Sequence, residues 1–436
     1  MRVLKFGGTS VGSAERMKAL VALINDEIPK IVVLSAMSGT TNSLVEIANA
    51  LYQKNNTLAT SLINTLKQKY ITVINELYAK PTSLEKANGL IESHFNYLSA
   101  FTMDMFTVNE ERAILAQGEL LSTAMFHYYL EEIGVGSVLL PALNFMRIDK
   151  NDEPDLEYTS THLKKELAQY QQTKIYITQG YICRNTFGEI DNLKRGGSDY
   201  TATIIGAAIQ SDEIQIWTDI DGMHNNDPRV VDKTHPIAEL SFDEAAELAY
   251  FGAKILHPTC ILPAKQKNIP VRLLNTMQPQ AKGTVISNYS SGDNVKAIAA
   301  KDGITAINIK SGRMLLAYGF LRTVFEVFER YKTPIDMITT SEVAVSITID
   351  NTKFLDVILN ELKEFGIVRA ESDLTIVCIV GNLTGEKQGY AFKIFDTLKN
   401  IPIRMISYGG SEHNVSILIE SKYKKDTLIA LNKGLF

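Results

Sequence analysis

Lys5 stands two residues before Gly7-Gly8-Thr9-Ser10, at the end of the apolar run Arg2 to Phe6 and ahead of the helical stretch Ser13 to Asn25. Backbone N–H groups at such a strand-to-helix turn, together with the helix dipole, favour a phosphate. In a Walker A loop the lysine follows the glycines. Here it precedes them on the strand, so its ammonium would approach a transferring phosphoryl group from the sheet side; the alternative for a Gly-Gly after a strand is a simple tight turn. A second glycine loop, Arg195-Gly196-Gly197-Ser198-Asp199-Tyr200-Thr201, opens a helix predicted over Thr201 to Ile209. Its paired glycines allow close backbone approach to a ligand, Arg195 supplies a fork for carboxylate or phosphate, and Asp199 could hold Lys5 or magnesium. A third group, Trp217-Thr218-Asp219-Ile220-Asp221-Gly222 followed by Asn226-Asp227-Pro228-Arg229, falls at the carboxyl end of a strand. Ligands of open α/β sheets sit there.

Short β-branched runs must carry these loops. Arg2 to Phe6, Lys30 to Ser35, Lys174 to Gln179, Glu213 to Thr218 and Pro270 to Leu274 read as buried strands with helices between them, the alternation of βαβ units on a largely parallel sheet. From Ser43 to about Glu132 the pattern is mostly helical, with interruptions expected near Pro81 and Gly89. Ser241 and Glu244 form an S-x-x-E capping box for a helix expected to stop before Pro258. The turn-rich stretch Ser287 to Asn294 marks the main domain boundary. Beyond it the chain repeats itself. Gly319, the strands Ile335 to Ile338 and Val343 to Ile349 recur as Gly389, Ile403 to Ile406 and Val415 to Ile419, about 70 residues later, which points to two copies of one small ferredoxin-like module.

At 436 residues, about three domains are expected. With 45% hydrophobic and 21% charged residues, a mainly disordered chain is excluded. The net charge of −5 carries no basic surplus for nucleic acid. The 3 cysteines lie far apart, without zinc-ligand spacing, and their odd number argues against a disulfide framework. No uncharged run approaches the roughly 18 residues of a spanning helix, and the N-terminus reaches glycines too soon for a signal-peptide core. No membrane association and a reducing cytoplasm are expected.

Lys5-Phe6-Gly7-Gly8-Thr9-Ser10, Ser38-Gly39-Thr40-Thr41-Asn42, Gly118-Glu119-Leu120, Gly196-Gly197-Ser198-Asp199-Tyr200-Thr201, Trp217-Thr218-Asp219, Asp227-Pro228-Arg229 and Phe251-Gly252-Ala253-Lys254-Ile255-Leu256-His257-Pro258 occur in the order seen in aspartate kinases. The chain resembles that family over nearly its whole length. The resemblance implies a three-layer αβα amino acid kinase domain over 1–290, with a mostly parallel sheet, then ACT domains over 300–372 and 373–436. It implies a monofunctional enzyme that transfers the γ-phosphoryl of ATP, with Mg2+, to the side chain of L-aspartate. Lys5 and Asp199 then become the catalytic pair, Asp199 orienting Lys5. Arg195 is matched to the substrate α-carboxylate and Glu119 to its α-ammonium, with hydrogen bonds from Thr41 and Ser198. Gly7, Gly8, Ser10, Thr218, Asp219, His224, Arg229 and Lys254 join Lys5 on the nucleotide side. Relatives commonly carry a tyrosine where this chain has His224. His257 is expected to be a structural hydrogen-bonding residue.

ACT domains of this family commonly sense an end product of the aspartate pathway. Met314, Gly319, Phe320, Leu321, Asp336, Ser341 and Glu342 resemble the pattern of lysine-sensitive members. Asp336 and Glu342 could pair with the two ammonium groups of L-lysine. Arg404 takes the place of Asp336 in the second copy and would repel a cation, so the site is expected in the first copy only. Leu316 stands where lysine-sensitive relatives often have histidine. A homodimer joined through the ACT modules, or a dimer of dimers, is the oligomer the resemblance implies.

Overall fold

The computed structural model describes residues 1–103, 105–193, 196–252, 256–289, 291–292, 295–312, 318–383 and 389–436. Arg195, Lys254, Met314 and Leu316 therefore lie outside the described residues. The chain forms two compact units: Met1–Met223, Ala238–Phe242 and Leu256–Ser290 in the first, and His224–Ile237, Asp243–Ile255 and Ser291–Phe436 in the second.

The first unit begins β1 (Arg2–Phe6), α1 (Ala14–Ile24), β2 (Lys30–Leu34) and then the helices α2 (Thr40–Tyr52), α3 (Asn56–Leu77), α4 (Pro81–Ala100) and α5 (Val108–Glu132). It continues through β3 (Val138–Leu140), α6 (Leu156–Ala168), β4 (Ile175–Gln179), the hairpin β5 (Ile182–Arg184) and β6 (Ile190–Asn192), α7 (Gly197–Ile209) and β7 (Ile214–Thr218). The order then runs β8 (Glu239–Ser241), α8 (Phe242–Tyr250), α9 (Leu262–Lys267), β9 (Val271–Asn275) and β10 (Thr284–Ser287), with most of α8 in the second unit. An eight-stranded sheet orders these as β3-β4-β2-β1-β7-β9-β10-β8. Only the β9–β10 pair is antiparallel. Leu4, Phe6, Val32 and Leu34 pack with Met17, Leu20, Leu44, Leu121 and Met125 from α1, α2 and α5. Strand side chains alternate between faces, so Lys5, between Leu4 and Phe6, projects to the other face, where α7 lies.

Some boundaries differ from the sequence reading. α7 starts at Gly197 rather than Thr201, with Gly196 as its left-handed N-cap. Ser198, Asp199 and Tyr200 thus belong to its first turn, where missing side-chain propensity costs little because the N–H groups have no intrahelical partners anyway. Pro81 does open α4, but Gly89 lies inside it. A single glycine costs only about 1 kcal/mol in a helix, and packing of Ala87, Ile91 and Phe95 outweighs it. As expected, the helix after Ser241 stops before Pro258, ending at Tyr250.

The second unit carries β11 (Val295–Lys310), α10 (Phe320–Arg330), β12 (Ile338–Thr340), β13 (Ala344–Ile349), α11 (Leu355–Leu362), β14 (Ile367–Gly381), α12 (Tyr390–Thr397), β15 (Met405–Tyr408), β16 (Asn414–Glu420) and α13 (Lys424–Leu435). These strands form one antiparallel sheet, β12-β13-β11-β14-β16-β15. The repeat is visible as α10 and α12, capped by Gly319 and Gly389 at φ +87° and +94°. The copies interlock through β11. Its later half, Thr305 to Lys310, pairs with β13, whereas its earlier half pairs only with the later half of β14. The ladder slips between the halves, where Gly303 and Asp373 take φ +76° and +59°. Two cores follow. Ile307 and Ile309 pack with Val324, Phe328 and Ile347, while Val295 and Ile298 pack with Val377, Ile394, Val415 and Leu428.

Candidate active site

Strand ends β1, β2 and β4 and helix starts α2 and α7 converge on a cleft of about 320 Å³. Its lining includes Gly8, Thr41, Glu119 and Ser198, brought together from four segments, with Ser35, Gly39 and Tyr181 beside them. Lys5 Nζ lies 2.6 Å from Asp199 Oδ1, and both side chains are largely buried. The pairing follows from the frame, since Lys5 faces α7 and Asp199 occupies that helix's first turn. The phosphate-type loop is stitched to the next strand end, because the Ser38 N–H donates to the Gly8 carbonyl at 3.1 Å. Ser198 is placed by Ser35, whose hydroxyl donates to Ser198 Oγ at 2.8 Å.

Glu119 rises from α5 into the cleft and is only 4% exposed. Its Oε1 accepts the Ala36 N–H at 3.2 Å, and its Oε2 has no partner among the described residues. Burial pushes its carboxyl up to about 8. Such a group is poised to receive a cation or a hydrogen-bond donor from the cleft.

Gly196 cannot be replaced at low cost. Its φ is +66°, and a methyl group there would lie 1.8 Å from Cys260 Sγ. Gly196→Ala is therefore expected to destabilise the fold by about 3 kcal/mol through combined overlap and backbone strain. Adding Cys260→Ala should restore only part of it, since the positive φ remains. Thermal melts of the single and double variants check this, and full recovery would show that only overlap matters.

Ser10 is buried, with its hydroxyl donating to Thr276 Oγ1 at 3.3 Å, and Thr276 in turn donating to the Thr218 carbonyl at 2.9 Å. This chain fastens the first glycine loop to the end of β7. The Gly7 N–H is turned to the Trp217 carbonyl. Thr218 Oγ1 accepts the Ile220 N–H at 3.1 Å, and Asp219 is exposed. In the second unit His224 Nδ1 is 2.9 Å from Thr234 Oγ1. Arg229 forms a two-point pair with Asp227 at 2.8 and 2.9 Å, which holds the Asp227 carboxyl below its ordinary range. Its guanidinium, offered to a phosphate by the sequence reading, is thus engaged by its own loop here. His257 caps a short 3₁₀ turn, its side chain accepting the Thr259 N–H, as a structural residue would.

The effector residues are more scattered. Gly319, Phe320 and Leu321 open α10, and Ser341 and Glu342 are exposed in the β12–β13 turn. Asp336 departs from expectation. Its side chain is 1% exposed and already paired with Lys301 at 2.7 Å, so the carboxylate read as free for a ligand holds an internal cation. In the second copy Arg404 pairs with Glu371 and Glu420 at 2.9 and 3.1 Å.

Sequence reasoning missed Tyr181. It lines the cleft with φ +68°, and its N–H donates to Thr201 Oγ1 at 2.8 Å. Its position just beyond the carboxyl end of the strand ending at Gln179 was the available signal.

The first 275 residues match the model of the amino acid kinase family, and residues 377–435 match an ACT domain. Over the full chain the sequence is 33% identical to lysine-sensitive aspartokinase 3 of Escherichia coli K12, of which it covers 99%, and 34% identical to chloroplastic aspartokinase 1 of Arabidopsis thaliana, of which it covers 80%. Among solved structures, E. coli aspartokinase III with aspartate and ADP (R-state) superposes at a TM-score of 0.86 and 32% identity, each chain covered fully. The same E. coli enzyme with lysine and aspartate (T-state) gives 0.83, at 32% identity, covering 100% of this chain and 99% of that one. The chain belongs to the amino acid kinase family, and its full-length relatives place it among the aspartokinases.

Proposed function

We propose that this chain transfers the γ-phosphoryl of ATP to the β-carboxylate of L-aspartate, giving ADP and 4-phospho-L-aspartate, the first step of the pathway to lysine, threonine and methionine. The observation that carries this is the juxtaposition of the Lys5–Asp199 pair with a cleft whose floor is the buried, half-satisfied Glu119. The acceptor carboxylate, with an ordinary pKa of about 3.9, is already ionised at neutral pH and needs no general base. The remaining task is electrostatic: to bring an anion to a polyanion and stabilise the charge in the in-line transition state.

Glu119 reads the substrate ammonium, Thr41 and Ser198 add hydrogen bonds, and Arg195 is assigned the α-carboxylate. Asp199 keeps the Lys5 ammonium aimed along the strand end, where it neutralises charge on the transferring group. Thr218, Asp219, His224, Arg229 and Lys254 are assigned to the nucleotide; for Arg229 that role requires release from Asp227. Among the described residues no three acidic, His or Cys side chains gather as a metal cage. Mg2+ is assigned to the nucleotide phosphates and water, where it would supply charge neutralisation.

By analogy with the lysine-bound relative, L-lysine is the proposed effector, acting through the first ACT module of a homodimer. No described helix is long and apolar enough to cross a membrane. All three thiols are buried and unbridged, which suits the cytoplasm. An ADP-release assay with aspartate and glutamate, repeated with lysine and threonine, tests the reading. Aspartate-dependent turnover suppressed by lysine is expected, and turnover of glutamate alone would overturn it.

A further inference from the structure

The internal occupant of Asp336 is Lys301, and its surroundings are built rather than incidental. Lys301 Nζ lies 2.7 Å from Asp336 Oδ1, 2.9 Å from Asp350 Oδ2 and 4.4 Å from the centre of the Tyr250 ring. The Tyr250 hydroxyl donates to the same Asp336 oxygen at 2.8 Å. Burial alone would push the Lys301 ammonium down, and the two carboxylates more than offset it, holding it above its ordinary value. Asp336 is fixed by its backbone, whose N–H donates to the Thr348 carbonyl at 2.9 Å. Its Oδ2 is buried and has no partner among the described residues, so the carboxylate retains a second, unmet acceptor.

We propose that Lys301 is the resident counter-ion of the effector carboxylate, which an incoming ammonium must displace, and that Tyr250 passes the displacement to the end of α8. The inference rests on the reading of lysine as effector. Exchange of one ammonium for another leaves Asp336 paired before and after, so the large cost of a buried lone charge is avoided. Displaced Lys301 keeps Asp350, which is 39% exposed. A ligand without an ammonium cannot make the exchange.

The path outward is short. Tyr250 is the last residue of α8, and two residues on, Gly252 at φ +134° lies so close to β11 that a methyl group there would be 2.3 Å from the Ala300 carbonyl oxygen. Ala300 precedes Lys301 in the same strand. The end of α8 thus meets β11 at two adjacent residues, Tyr250 at Lys301 and Gly252 at Ala300, and Lys254, assigned above to the nucleotide, follows two residues beyond Gly252 in sequence. An effector that frees Tyr250 from Asp336 loosens the hold of β11 on Tyr250, Phe251 and Gly252.

Calorimetric titration with L-lysine and inhibition assays on the intact enzyme test this. Lys301→Met is expected to bind lysine roughly tenfold more tightly than wild type, because the competitor is gone, with uninhibited turnover retained. Lys301→Arg, which keeps the charge and guards against a folding defect, should bind no more tightly than wild type. Tyr250→Phe should still bind lysine but keep more activity at saturation. An unchanged Kd in Lys301→Met overturns the counter-ion role, and full inhibition of Tyr250→Phe overturns the relay. Failure of lysine to bind both wild type and Lys301→Met would instead remove the effector reading, and this inference with it.

Discussion

Lys5→Met should lower the turnover number by ~10³-fold, the scale of losing one fixed positive group from a phosphoryl or oxyanion site, while aspartate affinity changes little. The ammonium sits at the strand end, and the substrate is held by other groups, so the loss falls on the transition state. The substitution also leaves Asp199 without its cation in a largely buried setting, which should cost about 3 kcal/mol of stability. Lys5→Met/Asp199→Asn separates the two effects: thermal stability should return toward wild type while turnover stays low. Steady-state kinetics alongside melting curves decide this, and turnover that recovers with stability would mean that the pair is only structural.

Glu119→Gln should weaken aspartate binding by ~100-fold, as expected when a buried carboxylate–ammonium contact loses its charge. The same residue gives a pH signature with a definite sign. Its carboxyl is raised from the ordinary value of 4.5 to about 8 by burial, so the folded empty enzyme holds this proton more tightly than the unfolded chain does. The stability gained from that proton is fully present below the ordinary value and disappears as pH rises through about 8. Wild type should therefore lose stability relative to Glu119→Gln from about pH 4.5 to about 8, and level off above that. When a substrate ammonium arrives, the carboxyl ionises and releases its proton. Binding heats at pH 7 should then vary with the ionisation enthalpy of the buffer in wild type and not in the variant; equal buffer dependence would exclude Glu119 as the ammonium receptor.

The strand ends and glycine loops were legible because their signals are local. Phe6 and Lys5 alternate, Gly196 needs a conformation that few residues tolerate, and the strand Ile214–Thr218 reads as a buried run. Lys5 and Asp199 could be matched by motif, and the fold explains their contact through which face of β1 meets α7. Other features depend on partners that no short window contains. Nothing around Lys301 announces that its ammonium lies against Asp336, 35 positions away. Tyr181 adopts a left-handed backbone that glycine or asparagine would have advertised, and the first turn of α7 is hidden by two glycines that read as loop. The sequence repeat was clear, but its register with the folded modules was not, because a strand of 16 residues looks the same whether it serves one core or two.

That register has a bearing on how this half of the molecule can be altered. The tandem copies in the gene and the hydrophobic cores in space are out of phase by half of β11, so scissors placed at the repeat boundary cut through a shared beam. A fragment beginning at residue 377 would lack Val295 and Ile298, which belong to its own interior. A graft that starts upstream of Val295 should keep both interiors whole, whereas one cut at the repeat boundary should not.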